Sequence, residues 1–101
     1  MIIYSVTVSV EASSSLEWLT WMQNVHIPDV MNTGYFFESH IQELLDPIPQ
    51  PGMVTFNIQY HCRNMNELKA YQENDAPRLQ QDHTDKFKDR FVAFRTILKR
   101  L

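Results

Sequence analysis

The sequence predicts a single α+β domain with the element order β-α-β-β-α-β, and three observations predict it. Leu19, Gln23 and Pro28 recur as Leu68, Gln72 and Pro77 at a constant offset, so two helical frames repeat along the chain. Each frame lies between stretches that alternate in polarity, of which residues 2–10 and 53–62 are the clearest. Length sets the third bound, because 101 residues support one domain that buries about 60 to 65% of its unfolded surface.

Residues 2–10 set Tyr4, Val6, Val8 and Val10 against Ser5, Thr7 and Ser9, the pattern of a strand with one buried face. Ser14 and Glu17 then read as a capping box that opens a helix, whose apolar stripe is Leu16, Leu19, Met22, His26 and Val30. Pro28 lacks an amide hydrogen and crowds the preceding turn, so the helix should kink or restart there. It should end at Gly34, which suits a left-handed cap. Residues 35–45 form the second strand. The proline-rich segment Asp46 to Gly52 cannot continue a ladder and reads as an ordered hairpin loop. Residues 53–62 form strand three, with Val54, Phe56, Ile58 and Tyr60 on one face and Thr55, Asn57, Gln59 and His61 on the other. Asn64 and Glu67 open a second helix, bent at Pro77 and running to about Asp89, and Phe91 to Leu98 supply the last strand.

With right-handed crossovers this order is the ferredoxin-like plan: an antiparallel four-stranded sheet in the order 4-1-3-2 with both helices on one face. The opposite face would carry Ser5, Thr7, Ser9, Thr55, Asn57, Gln59, His61, His40 and Gln42, polar residues with almost no charge. A freely solvated sheet face usually carries Lys and Glu, so a half-buried interface between two sheets is expected, and with it a homodimer. Edge strand two is acidic (Glu38, Glu43, Asp46) and edge strand four basic (Arg90, Arg95, Lys99, Arg100), which would make two-fold pairing of these edges charge-complementary.

The net charge of −3 hides an asymmetry, since every Lys and Arg lies beyond residue 50. The cations of the second half are interleaved with Asp82, Asp85 and Asp89, and no strand combines aromatic and basic residues in the RNA-binding manner, so no nucleic-acid partner is expected. The opening residues carry no basic segment, and Ser5, Thr7 and Ser9 interrupt the apolar run, so neither a signal peptide nor a membrane span is expected and the protein reads as cytoplasmic. Cys62 is the only cysteine, which fits a reducing compartment and a buried structural thiol.

Several segments carry a resemblance: Trp18 to Met22, His26 to Val30, Thr33-Gly34, Tyr71, Ala76 to Leu79, His83, Phe87 and Arg90 to Thr96. Together they resemble a small bacterial family of unknown function across essentially the whole chain. That family is similar to the dimeric α+β barrel superfamily, which includes antibiotic-biosynthesis-type monooxygenases, chlorite-dismutase-like and haem-degrading proteins, and small stress proteins. The resemblance implies the dimeric barrel and, as fold-level likeness, assigns no activity.

The candidate ligand-binding residues are His26, Tyr71, Asp75 and His83. His26 shares the stripe of Leu19 and Met22, His83 lies between Leu79 and Phe87, and Tyr71 is one turn from Leu68, so all three should face the sheet. Asp75 is the counterpart of His26 in the repeated frame and would join them around the two kinks, or would simply cap the helix after Pro77. Either histidine could instead be a core residue bonded to a carbonyl. Trp18 and Trp21 read as packing residues. The four histidines are scattered along the chain, with His40 and His61 on the far sheet face, so no metal site is expected. In the haem-degrading relatives the axial ligand lies on the second helix, where His83 also falls.

Three functions fit these residues. One is a homodimer that holds a small apolar or aromatic molecule between helices and sheet. Another is a cofactor-free monooxygenase or isomerase in the same cleft, with His26 or His83 as general base. The last is a non-catalytic protein-interaction module.

Overall fold

The alternating stretch at the start of the chain becomes a central strand. In a computed structural model that describes residues 1–101, β1 (Ile2–Glu11) pairs antiparallel with β3 (Met53–Cys62) on one side and with β4 (Phe91–Lys99) on the other. The short β2 (Glu38–Glu43) extends the sheet beyond β3. The order β2-β3-β1-β4 is the expected 4-1-3-2 seen from the other edge. β2 is shorter than the expected strand over residues 35–45, because Tyr35 and Phe36 lie outside the ladder and pack on the core, where Phe36 lies against Tyr60 and Tyr71.

Two segmented helical arms cover the Tyr4–Val8–Val10 face. The first runs from a 3-10 turn (Ala12–Ser14) through α1 (Ser15–Trp21) and a π turn (Met22–His26) to α2 (Ile27–Met31). Its buried line is Trp18, Met22 and Val30, with His26 half-buried between the last two. Residues spaced by four drift about 40° per step around an α-helix, and the wider π turn takes up part of that drift, so these positions keep facing the sheet through the proline. The restart expected at Pro28 is therefore a change of helical pitch that begins before it. The arm ends as Gly34 adopts φ +86°, with its amide donating to Met31.

Two details of this arm differ from expectation. Leu16 is 78% exposed, and Trp18, on the opposite flank of Leu19, fills the core instead. Ser14 makes no capping bond. Its hydroxyl accepts from Arg90 Nη1 at 3.1 Å, and the same guanidinium reaches Glu17 at 3.4 Å and donates to the Lys86 carbonyl. The capping-box pair thus serves a clip between the start of the first arm and the end of the second.

The second arm is α3 (Met65–Asn74) and α4 (Ala76–Lys86), broken at Asp75 ahead of Pro77. Asn64 caps α3 as expected, its side-chain oxygen accepting from the Glu67 amide at 3.0 Å. Leu68, Tyr71, Leu79 and Phe87 turn inward to meet the sheet. Cys62 is fully buried, and its thiol, pushed up by burial, contacts the Asn64 carbonyl.

The open face of the sheet is polar at its centre and apolar at one edge. Asn57 donates to Ser5 and Thr7 and accepts from Gln42, while Ser9 and Thr55 bond each other, so these six side chains find partners within the chain. On β4 the same face presents Val92, Phe94 and Leu98, all exposed. The expected basic edge is reduced to Lys99 and Arg100, because Arg90 is engaged in the clip and Arg95 shares the inner face with Phe91 and Ala93, among the residues lining the helix–sheet cavity. No helix is long and apolar enough to cross a membrane.

Truncating Leu79→Ala should cost about 2 to 5 kcal/mol, Asn64→Ala about 1, and Leu16→Ala less than about 0.5. Urea unfolding midpoints at constant m-value would test this order.

Candidate functional site

Between the arms and the sheet lies a cavity of about 50 Å³. Its polar wall is formed by His26, Tyr71 and His83 with Tyr4, Gln80 and Arg95, and the remainder is largely apolar. Helical periodicity brings the first three together, as their spacing implied.

His83 projects from α4 and is 8% exposed. The indole Nε1 of Trp18 donates to its Nε2 at 2.8 Å, wholly inside the protein. A neutral imidazole has one lone pair on nitrogen; with Nε2 accepting, the proton of His83 resides on Nδ1. Burial holds its pKa down to about 4, and the His26 ring and the Arg95 guanidinium push the same way. His83 is thus a neutral hydrogen-bond donor, and using it as a base would require breaking the Trp18 bond.

His26 closes the π turn, its ring 5.2 Å from that of Trp21 and 5.8 Å from that of His83. Burial lowers its pKa, opposed by the negative charges of Asp29 and Asp82. No carbonyl or side chain hydrogen-bonds it, unlike the carbonyl-bonded core histidine considered above, so its lone pair is the one available for proton transfer.

Tyr71, Tyr4 and Tyr60 form an aromatic group around Phe36. Burial pushes the hydroxyls of Tyr71 and Tyr4 up, keeping them protonated donors, and Arg95 beside them partly offsets this. Arg95 is exposed yet lines the cavity, so it marks where the cavity reaches the surface, and it enters none of the ion pairs of the chain. A neutral pair of imidazoles, phenolic donors and one uncompensated cation can receive an anionic or hydrogen-bond-accepting group and can accept a proton at His26.

Asp75 does not join this group. It stands at the break between α3 and α4, pairs with Arg78 at 3.1 Å, and faces a separate surface depression with Asp29, Asn32 and Thr33. It makes no side-chain cap for α4 either. The repeated frame equated it with His26, but the π turn of the first arm has no counterpart in the second, so equal offsets do not give equal directions. Arg95, which the charge pattern places at the strand edge, lines the cavity instead. The signal was present, since alternation from Phe91 puts Ala93 and Arg95 on the inward face. Alternation over residues 2–10 likewise puts Tyr4 on the inward face, whereas nothing in the sequence marks Gln80. Trp18 and Trp21 are packing residues, stacked on Phe56 and lying against Phe87 respectively. Haem does not fit His83, whose Nε2 is taken by Trp18 and whose ring meets Phe91 at 4.4 Å.

Solved structures with this fold cover the whole chain. A dimeric ferredoxin-like protein from an uncultured marine organism has a TM-score of 0.71 at 11% identity, covering 100% of this chain and 95% of its own. HapK from Hahella chejuensis has a TM-score of 0.71 at 10% identity, covering 100% and 93%. A candidate antibiotic biosynthesis monooxygenase from Deinococcus radiodurans has a TM-score of 0.67 at 16% identity, covering 100% and 93%. At these identities the likeness shows the fold alone. No curated protein matches the chain in sequence. The domain of unknown function DUF4286 matches residues 1–101, and the chain belongs to that family.

Proposed function

We propose that this protein is a homodimeric, cytoplasmic binding domain for a small aromatic or apolar molecule bearing an anionic group, held between helices and sheet. The observation that carries this reading is the convergence of His26, Tyr71, His83 and the unpaired Arg95 on one cavity. Arg95 supplies the counter-charge, the tyrosines and His83 Nδ1 supply donors, and the apolar walls take the ring. At about 50 Å³ the interior admits one or two waters, well below the roughly 300 to 1,000 Å³ of an ordinary ligand pocket. Binding therefore requires the arms to part, and the π turn and the Asp75 break are the points at which segmented arms can flex.

The dimer rests on the exposed Val92, Phe94 and Leu98 beside a polar sheet centre, an apolar edge that a second sheet would cover. The dimeric ferredoxin-like protein of the same fold supports this arrangement.

A second reading of the same cleft is catalytic. The free lone pair on His26 favours it, as a general base for a cofactor-free oxygenation or an isomerisation of the bound molecule. Exchange of solvent deuterium into an enolisable bound acid would separate this from simple binding.

Titration with hydroxybenzoates, followed by amide and side-chain NMR, should perturb cavity residues. Arg95→Gln should weaken binding at least tenfold, and His26→Ala should weaken it with little change in thermal stability. Loss of stability without loss of binding in His26→Ala would return that residue to the core. Phe94→Asp should convert a species of twice the chain mass to the monomer in sedimentation velocity.

The neutral state of His83 also fixes a pH dependence. Its imidazole titrates near 6.5 when unfolded and about 4 when folded, so between these values the unfolded chain binds the extra proton. Stability should be fully present above that window and fall as pH drops from about 6.5 to 4, by at most about 3 kcal/mol. His83→Gln, which keeps an acceptor for Trp18, should flatten the slope in urea unfolding measured across this range.

A further inference from the structure

The pairing of β2 with β3 sets Glu38 opposite His61, and His40 follows two residues along on the same open face of the sheet. Residues remote in sequence thereby become neighbours, at the other side of the sheet from the helix-covered cavity. One oxygen of Glu38 lies 3.3 Å from His40 Nε2, the other lies 3.4 Å from His61 Nδ1, and the two imidazole centroids are 5.3 Å apart. One donor atom from each residue can be chosen so that all three lie within 4.8 Å of one another.

His61 is the anomaly in this cluster. It is 8% exposed, enclosed with Phe37 edge-on to its ring, and both ring nitrogens are buried without a hydrogen-bond partner. The approach of Glu38 to Nδ1 is close enough for an ion pair but lacks hydrogen-bond geometry. Buried polar atoms in native proteins are almost always satisfied, and an orphaned nitrogen beside a carboxylate and a second imidazole has the surroundings of a metal ligand.

We propose that Glu38, His40 and His61 bind a divalent transition-metal ion of the zinc class on the open face of the sheet. Two imidazoles and one carboxylate select such ions over magnesium or calcium, which prefer all-oxygen sites. Zinc bonds to nitrogen and carboxylate oxygen are about 2.0 to 2.2 Å long, so ligand atoms on a tetrahedron stand about 3.3 to 3.5 Å apart. Each imidazole already stands at about that distance from a Glu38 oxygen, a different one for each, and rotation of the exposed Glu38 and His40 side chains would bring one oxygen and both nitrogens around a single ion. The ion would take the lone pair of His61 and offset the charge of Glu38. A fourth position remains for water or another ligand, since β2 is an edge strand and Glu38 and His40 are exposed.

The test is titration of the full-length protein, stripped with a chelator, using Zn²⁺ by calorimetry and Co²⁺ by visible absorption. One ion per chain, with the intense bands of tetrahedral Co²⁺, is the expected result. His40→Ala and Glu38→Gln should each weaken binding at least tenfold. Both residues are exposed, so these variants should fold even where His61→Ala does not, and unchanged far-ultraviolet circular dichroism would verify it. Asp85→Asn, at a distant exposed carboxylate, should bind as the parent does. Absence of stoichiometric binding, a weak spectrum of hydrated Co²⁺, or affinity retained in both His40→Ala and Glu38→Gln would each overturn the site.

Discussion

The buried hydrogen bond from Trp18 to His83 is the interaction on which the interior depends. An indole N–H carried into an apolar core must find an acceptor, and the only acceptor it has here lies on the opposite arm. That single contact ties α1 to α4 and fixes the tautomer that faces the cavity, while burial keeps His83 neutral. It also divides labour between two histidines of similar position. His83 becomes a donor held by its partner, whereas His26, lodged in a π turn without a partner, retains a basic nitrogen.

The two faces of the sheet solve different problems. The inner face buries an aromatic group beside a small, largely apolar cavity with one polar wall, where burial keeps the hydroxyls of Tyr4 and Tyr71 protonated and the adjacent Arg95 has no carboxylate partner. The outer face satisfies its polar centre through Asn57 and leaves an apolar strip along β4. The charge complementarity that the distribution of acids and bases along the chain implies for the strand edges keeps only Lys99 and Arg100 on its basic side. Arg90 is spent on an internal clip and Arg95 on the cavity.

Much of this was legible because side-chain period is a direct image of burial. β1 and β3 follow their alternation almost to the residue, Asn64 announces its cap, and His26, Tyr71 and His83 are placed by helical spacing alone. What escaped was decided by tertiary partners or by departures from ideal pitch. Ser14 and Glu17 have the spacing of a capping box, yet Arg90, distant in sequence, claims both. The π turn is invisible to a period of 3.6, and its absence from the second arm sends Asp75 outward. Strand register is equally hidden, which is why Glu38, His40 and His61 read as unrelated residues until β2 is laid against β3.

Asn57 has one further consequence. Alternation of apolar and polar residues penalises a strand slip of one residue, which would turn the core outward, but is blind to a slip of two, which leaves every side chain on its proper face. Asn57 removes that ambiguity. Its two amide hydrogens engage Ser5 and Thr7 on β1 while its oxygen engages Gln42 on β2, so one side chain reads the alignment of three strands at once. A slip of two residues on either side would strand part of this amide, and the uncharged centre of the open face thus acts as a vernier that selects one alignment among those the core would accept.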